Sequence, residues 1–327
     1  MTGAGPLGRR ITPAGRQRGR DVMAAWHRLT DGDTVAVGPA DGTTNGNGHD
    51  SGPGPVGRRP MSLAPWSVDG GGREDGRELL SVENLSIHFG GVQALRDVRL
   101  RVRTGEVTGV IGPNGAGKST LFNCLSGLLQ PDAGTVTFDG APLRGAPSVR
   151  ARRGLGRTFQ TPRLFRSLSV LDNLLFGCET ADWSGHRYVF DPRLGRLPQI
   201  ERAERIAALV GFRGDLSVPA GSLPFGDLRT VELARALCGA PSLLMLDEPA
   251  SGLDADQAQS FVGLMRELGD MGLAVLLIEH DMALVMGLCK RITVLDFGQV
   301  IAEGTPEDVQ RNETVVHAYL GRSAARA

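Results

Sequence analysis

The stretch GPNGAGKST, Gly112 to Thr120, constrains this chain more than any other feature of its 327 residues. EVTGVI, Glu106 to Ile111, precedes it as a short apolar run of strand type, and TLFNCLSGLL follows with helical spacing. Between a strand and a helix, the pattern G-x-x-x-x-G-K-S serves a specific chemistry. Its glycines let backbone N–H groups close around phosphate oxygens, and the helix turns its positive end toward the anion. Gly112, Pro113, Asn114, Gly115, Ala116 and Gly117 form the cradle. Lys118 is placed to reach the β- and γ-phosphates of a nucleotide such as ATP, the Ser119 hydroxyl to ligate Mg²⁺, and Thr120 to help hold phosphate.

LLMLDEP supplies a second half-site. Its apolar residues carry Asp247 to the end of a strand, where the carboxylate can face a metal ion, and Glu248 follows as a candidate base for water. Alone, such an Asp-Glu pair reads as a solvated loop or a helix cap. Beside a phosphate loop it reads as catalytic.

The rest of the pattern is that of an α/β fold with two additions. LLSVENLSIHF and ALRDVRLRVR alternate as antiparallel strands, broken at Gly90-Gly91. SLLMLDEP and GLAVLLIEHD are continuous apolar runs, each followed by a helical segment, as in a buried parallel sheet. Between these regions, SLSVLDNLLFG, IERAERIAALVGF and VELARAL are helical and form an insertion over about residues 161–240. RITVLDFGQVIAEG predicts a hairpin around Phe297-Gly298, and TPEDVQ a helix capped by Thr305 with Pro306 at its first position.

Residues 1–77 differ in kind. About one-fifth are Gly, and a run such as GTTNGNGHDSGPGPVG cannot bury enough apolar surface to offset its ordering entropy, so a disordered extension is expected. One reading places the true translation start at Met61; a regulatory or membrane-surface tail is the other. Residues 78–322 are then the folded domain and 323–327 a short tail.

The formal net charge is zero, which argues against a broadly basic nucleic-acid surface. GLAVLLI, the longest strongly apolar run, is far short of the roughly 20 residues that span a bilayer, so any membrane role comes through partners. Cys124, Cys178, Cys238 and Cys289 have no paired spacing of zinc or redox type and read as reduced, mostly buried thiols.

The order of these motifs resembles the nucleotide-binding subunits of ABC transporters over nearly all of Leu79 to Gly321. The matching pieces are FGG at Phe89, GPNGAGKST, TFQ ending at Gln160, LLMLDEP, SGLD from Ser251 to Asp254, and IEHD with His280. The resemblance implies a P-loop ATPase of ABC type that closes as a head-to-tail dimer, each ATP lying between one chain's phosphate loop and the other's signature turn. It assigns Phe89 to stacking on adenine, the alternative being a core Phe beside a tight turn. Gln160 is assigned to sensing the metal and attacking water, His280 to the γ-phosphate, and Ser251 and Asp254 to a loop crossing the dimer interface. Asp254 also reads as a simple N-cap.

RLFRSLSVLDNLLFG and GTPEDVQRNETVVHAYLG are similar to the ATP-binding subunits of branched-chain amino acid importers, whose relatives also carry urea, amides and other amino acids. Two membrane permeases and an extracytoplasmic binding protein are the implied partners, at the cytoplasmic face of the membrane. An envelope-lipid exporter ATPase and a soluble ABC ATPase are the alternatives; no coiled-coil insertion or basic arm of the latter type is visible.

The signature turn departs from the family's L-S-G-G-Q. Here it reads Leu223, Pro224, Phe225, Gly226, Asp227. Pro224 has neither the hydroxyl nor an N–H, Phe225 replaces a glycine, and Asp227 brings a carboxylate near polyphosphate. The implied arrangement is a heterodimer with a second ATPase subunit of intact signature.

Overall fold

The computed structural model describes residues 76–186 and 188–323. The expected disorder of the extension and the start at Met61 therefore lie outside the described residues.

Two sheets follow from two kinds of strand. β1 (Glu78–Phe89) and β2 (Val92–Arg103) alternate buried and exposed residues, and with β4 (Ala133–Phe138) and β5 (Ala141–Pro142) they form an antiparallel sheet in the order β2-β1-β4-β5. β3 (Val107–Ile111), β7 (Leu243–Asp247) and β8 (Ala274–Ile278) are buried at every position, as strands covered on both faces must be. With β6 (Leu155–Arg157), β9 (Arg291–Asp296) and β10 (Gln299–Gly304) they build the order β10-β9-β3-β8-β7-β6, parallel except for the β9-β10 hairpin.

Alternation along each central strand divides the core. Leu243 and Met245 of β7 point with Val110, Leu276 and Ile278 toward the antiparallel sheet, while Leu244 and Leu246 pack on the opposite side with the helices. The antiparallel sheet thus backs the phosphate loop, and helices cover the other face.

The helices are α1 (Lys118–Ser126), α2 (Pro147–Arg152), α3 (Val170–Ser184), α4 (Gln199–Leu209), α5 (Phe225–Cys238), α6 (Ala255–Asp270), α7 (Met282–Leu288), α8 (Pro306–Gln310) and α9 (Glu313–Ser323). α3, α4 and α5 pack together through Leu174, Ile206, Val231, Ala234 and Leu237. Gly177 permits the close approach of α3 to α5, since a Cβ there would lie 2.3 Å from the Arg235 carbonyl oxygen. The same approach brings the Cys178 thiol, which donates to the Gln199 carbonyl at 3.7 Å, close to that of Cys238, a proximity that their sequence separation does not suggest; all four cysteines are free and buried.

Asn173 closes the entry to α3. It is fully buried, accepts from the Phe165 N–H (2.9 Å) and donates to the carbonyls of Phe165 (3.1 Å) and Ser169 (2.9 Å). Ser169 caps α3, Thr305 caps α8 with Pro306 at its first position, and Asp254 caps α6 in a reciprocal pair with Gln257. Asp254→Ala should therefore cost about 1 kcal/mol of stability in a urea titration, whatever else Asp254 does.

Candidate functional site

The carboxyl ends of β3, β8, β7 and β6 converge, and ligands of open parallel sheets bind outside such ends. β3 delivers the phosphate loop. Gly112, Gly115 and Gly117 have φ of 149°, 81° and 103°, values that side-chain-bearing residues rarely adopt. Packing also excludes a side chain at Gly112, where a Cβ would stand 2.0 Å from the Leu295 carbonyl oxygen. The hairpin turn behind the loop is tied in as well: the Gly298 N–H donates to the Ala116 carbonyl at 2.9 Å, and the Arg96 N–H to the Gly298 carbonyl at 2.8 Å.

Lys118 folds over its own loop. Its Nζ donates to the carbonyls of Gly112 (2.7 Å) and Pro113 (3.1 Å). Burial lowers its pKa, and the nearby carboxylates of Glu248 and Asp247 oppose that shift, so all three charges share one field. α1 begins with this loop and ends on two arginines. Arg150 donates to the carbonyls of Cys124 (2.6 Å) and Leu125 (2.7 Å), and Arg157 to the Phe122 carbonyl (3.2 Å), Asn123 Oδ1 (2.9 Å) and Ser126 Oγ (2.6 Å). Cations at a helix carboxyl end complement its dipole, whose other end faces the phosphate site.

Asp247 closes β7 and is 8% exposed. Burial pushes its carboxyl above the usual range, opposed by Arg157, whose Nη2 stands 3.4 Å from Asp247 Oδ2. Glu248 follows at φ 49°, with its N–H on the Ile278 carbonyl (2.9 Å) and its Oε2 accepting from Gln160 Nε2 (2.9 Å). The structure thus joins the two sequence-predicted residues Gln160 and Glu248 directly.

The oxygen donors Ser119, Asp247 and Gln160 are the hard set that Mg²⁺ prefers, and Mg²⁺ is usually held by one or two carboxylates plus substrate phosphate. Consistent with that mode, no cluster of three or more His, Cys, Asp or Glu side chains forms a metal cage among the described residues. The donor set and the desolvated Asp247 carboxylate fit the ion.

His280 stands just beyond β8 with its side chain exposed, and its N–H donates to Glu279 Oε2 (3.0 Å). Glu279, only 1% exposed, also accepts from the Ala250 N–H (2.9 Å), so one buried carboxylate ties the His280 segment to the approach of Ser251 and Asp254. Phe89 ends β1 with 48% of its surface exposed, outside the core. Pro224 precedes α5 without a side-chain cap, and Phe225, Gly226 and Asp227 lie exposed in its first turn, while Val231, Ala234 and Leu237 face the core.

Sequence reasoning missed Arg157, Arg229, Glu232, Glu279 and Tyr319. The available signal was a charge inside an apolar pattern: Glu232 sits on the buried stripe of α5, and Glu279 ends an apolar strand. Tyr319 of α9 lies beside the Gly112 backbone, and burial pushes its phenol up to about 12. No local pattern connects those two positions.

Comparison with known proteins agrees with this geometry. Residues 95–251 match the family model "ABC transporter", and residues 299–325 the model "Branched-chain amino acid ATP-binding cassette transporter". The high-affinity branched-chain amino acid transport ATP-binding protein LivG of Salmonella typhimurium is 41% identical over 251 residues, covering 75% of this chain and 98% of LivG. BraF of Pseudomonas aeruginosa, of the same description, is 39% identical over 260 residues, covering 76% and 99%. Among solved structures, the ADP conformation of MJ1267, an ATP-binding cassette of an ABC transporter, is 32% identical with a TM-score of 0.65, covering 75% of this chain and 99% of that one. A phosphate loop, a glutamine-bearing loop and an Asp-Glu strand end in this order, together with relatives matched almost end to end, establish that the chain belongs to the ATP-binding cassette transporter ATPases.

Proposed function

We propose that this chain is an ATP-hydrolysing subunit of an importer for branched-chain amino acids or related amino acids, amides or urea. It sits at the cytoplasmic face of the membrane, on two permeases served by an extracytoplasmic binding protein. Among the described residues no helix is long and apolar enough to cross a membrane, so the partners supply the path. The cargo reading rests on the C-terminal match and on the names of LivG and BraF.

The observation that carries the ATPase reading is the Gln160–Glu248 bond at 2.9 Å, a carboxylate aimed and held at the sheet's carboxyl edge. Glu248 takes the proton of the attacking water, and Gln160 orients both. Lys118 neutralises charge on the β- and γ-phosphates; the loop amides from Gly112 to Gly117, with Ser119 and Thr120, hold them. His280 contacts the γ-phosphate, and Phe89 offers its exposed ring to adenine. Mg²⁺, held by Ser119, Asp247 and Gln160, would screen the phosphate charge. Hydrolysis so arranged is positioning and electrostatics more than covalent chemistry.

The partner is a second ATPase subunit with an intact signature. Leu223 to Asp227 of this chain cover that subunit's nucleotide, with Ser251 and Asp254 at the same interface. Mixing the purified chain with permeases and an intact-signature subunit in proteoliposomes tests this. ATP turnover should rise at least about tenfold over the chain alone, with binding-protein-dependent uptake of labelled leucine. Full-rate hydrolysis by the isolated chain would remove the asymmetry, and uptake of other solutes alone would remove the cargo.

A further inference from the structure

The altered signature turn and the hydrolytic loops are linked inside one chain by Arg229 of α5. Its Nη1 donates to the carbonyl oxygens of Glu248 (3.1 Å) and Pro249 (3.1 Å), and its Nη2 to that of Gln160 (3.3 Å). A single planar guanidinium thus holds the backbones of the two residues whose side chains meet at 2.9 Å. The same group stands 4.9 Å over the ring of Phe225, the aromatic that occupies a signature glycine position and is 51% exposed. Three residues along α5, Glu232 is 2% exposed and accepts from the N–H groups of Phe159 (3.3 Å) and Arg163 (2.7 Å) on either side of Gln160. One turn of α5 therefore grips the Gln160 loop by one carbonyl and two amides.

A cleft of about 70 Å³ lies between α5 and the two loops, lined among others by Phe159, Gly226, Arg229, Glu232, Asp247 and Glu248. A lysine would provide a point charge without the planar fork that spans three carbonyls, and a glycine at 225 would leave the guanidinium without its stacking face.

We propose that Arg229 is a positioning residue for ATP hydrolysis and that Phe225 sets its orientation, so that contact on the exposed face of Phe225 is transmitted to the Glu248 and Gln160 loops of the same chain. This rests on the reading that the chain hydrolyses ATP. Under that reading, the aromatic replacement in the signature turn is a sensor as well as a loss: it couples the nucleotide this turn covers to the chain's own site.

Two readouts test it on the full-length chain. In the nucleotide-free protein, hydrogen–deuterium exchange of peptides spanning residues 158–161 and 247–251 should rise in both Arg229→Ala and Phe225→Ala, with the phosphate loop unchanged. In steady-state phosphate release by the reconstituted complex, Arg229→Ala should lower kcat about 10- to 100-fold, with affinity for a fluorescent ATP analogue kept within about twofold. Phe225→Ala should lower kcat about fivefold in the parent, and not at all in the Arg229→Ala background. Additive losses, or unchanged exchange in Phe225→Ala, overturn the coupling. Proportional losses of kcat, nucleotide affinity and melting temperature in Arg229→Ala reduce it to a structural residue. If the parent complex does not hydrolyse ATP, the ATPase reading fails, while the exchange measurement still decides the Phe225–Arg229 link.

Discussion

Glu248→Gln should bind ATP within about twofold of the parent and hydrolyse it about 10²- to 10⁴-fold more slowly, the span lost when a general base is removed. The substitution is nearly isosteric, and the features that fix residue 248 belong to its backbone: φ 49°, the N–H on Ile278 and the carbonyl on Arg229. Only the side chain's proton affinity and its bond from Gln160 change. Glutamine can still accept from the Gln160 amide, so the loop should stay in place while the proton acceptor is gone. Nucleotide binding by a fluorescent analogue and phosphate release on the same preparation separate the two effects. Turnover near the parent rate would remove Glu248 as the base.

The second large effect concerns stability. Arg157→Leu should cost about 3–5 kcal/mol at neutral pH, because it leaves Asp247 as an uncompensated buried charge. The same change strips α1 of the bonds to Phe122, Asn123 and Ser126. The pH dependence has a definite sign. Burial raises Asp247 above its unfolded value, so its contribution to stability is fully present below the unfolded pKa and is lost as pH rises through the folded one. Removing Arg157 takes away the main opposing influence and raises that folded value further. The variant's deficit relative to the parent should therefore be smaller at acid pH than at neutral pH, because a raised carboxyl takes up its proton at a higher pH than in the unfolded chain. Urea titrations of both proteins at the two pH values measure it; a deficit independent of pH would place the loss in the α1 bonds and not in the ion pair.

Much of this molecule was legible in sequence because its chemistry is local. The phosphate loop needs its glycines, lysine and serine in one contiguous run, and the buried strands announce themselves as continuous apolar segments. The strand, helix and insertion types match the observed elements for the same reason. Other features were not legible. Arg157, Arg229, Glu232 and Glu279 act through hydrogen bonds between segments far apart in the chain, and nothing in the spacing of residues 157 and 247 foretells that they meet. The Cys178–Cys238 proximity depends on how closely Gly177 lets two helices approach, a tertiary distance with no sequence period. Phe225 could be recognised as a departure from a motif, but its stacking on Arg229 required the helix to be built, since residues four apart share a face only once it has formed.

The order of strands in the parallel sheet has a consequence for how the chain is made. β3, the strand that carries the phosphate loop, leaves the ribosome well before its two hydrogen-bonded neighbours, β8 and β9, have been made. The Leu295 carbonyl that backs Gly112 belongs to β9 itself, and Tyr319, beside the Gly112 backbone, comes later still. The nascent domain must therefore keep the buried strand β3 without its sheet partners until β8 and β9 have been made. Nucleotide can assist folding only after the Asp247–Glu248 strand end and His280 have been made, since the phosphate loop alone is half of the candidate site.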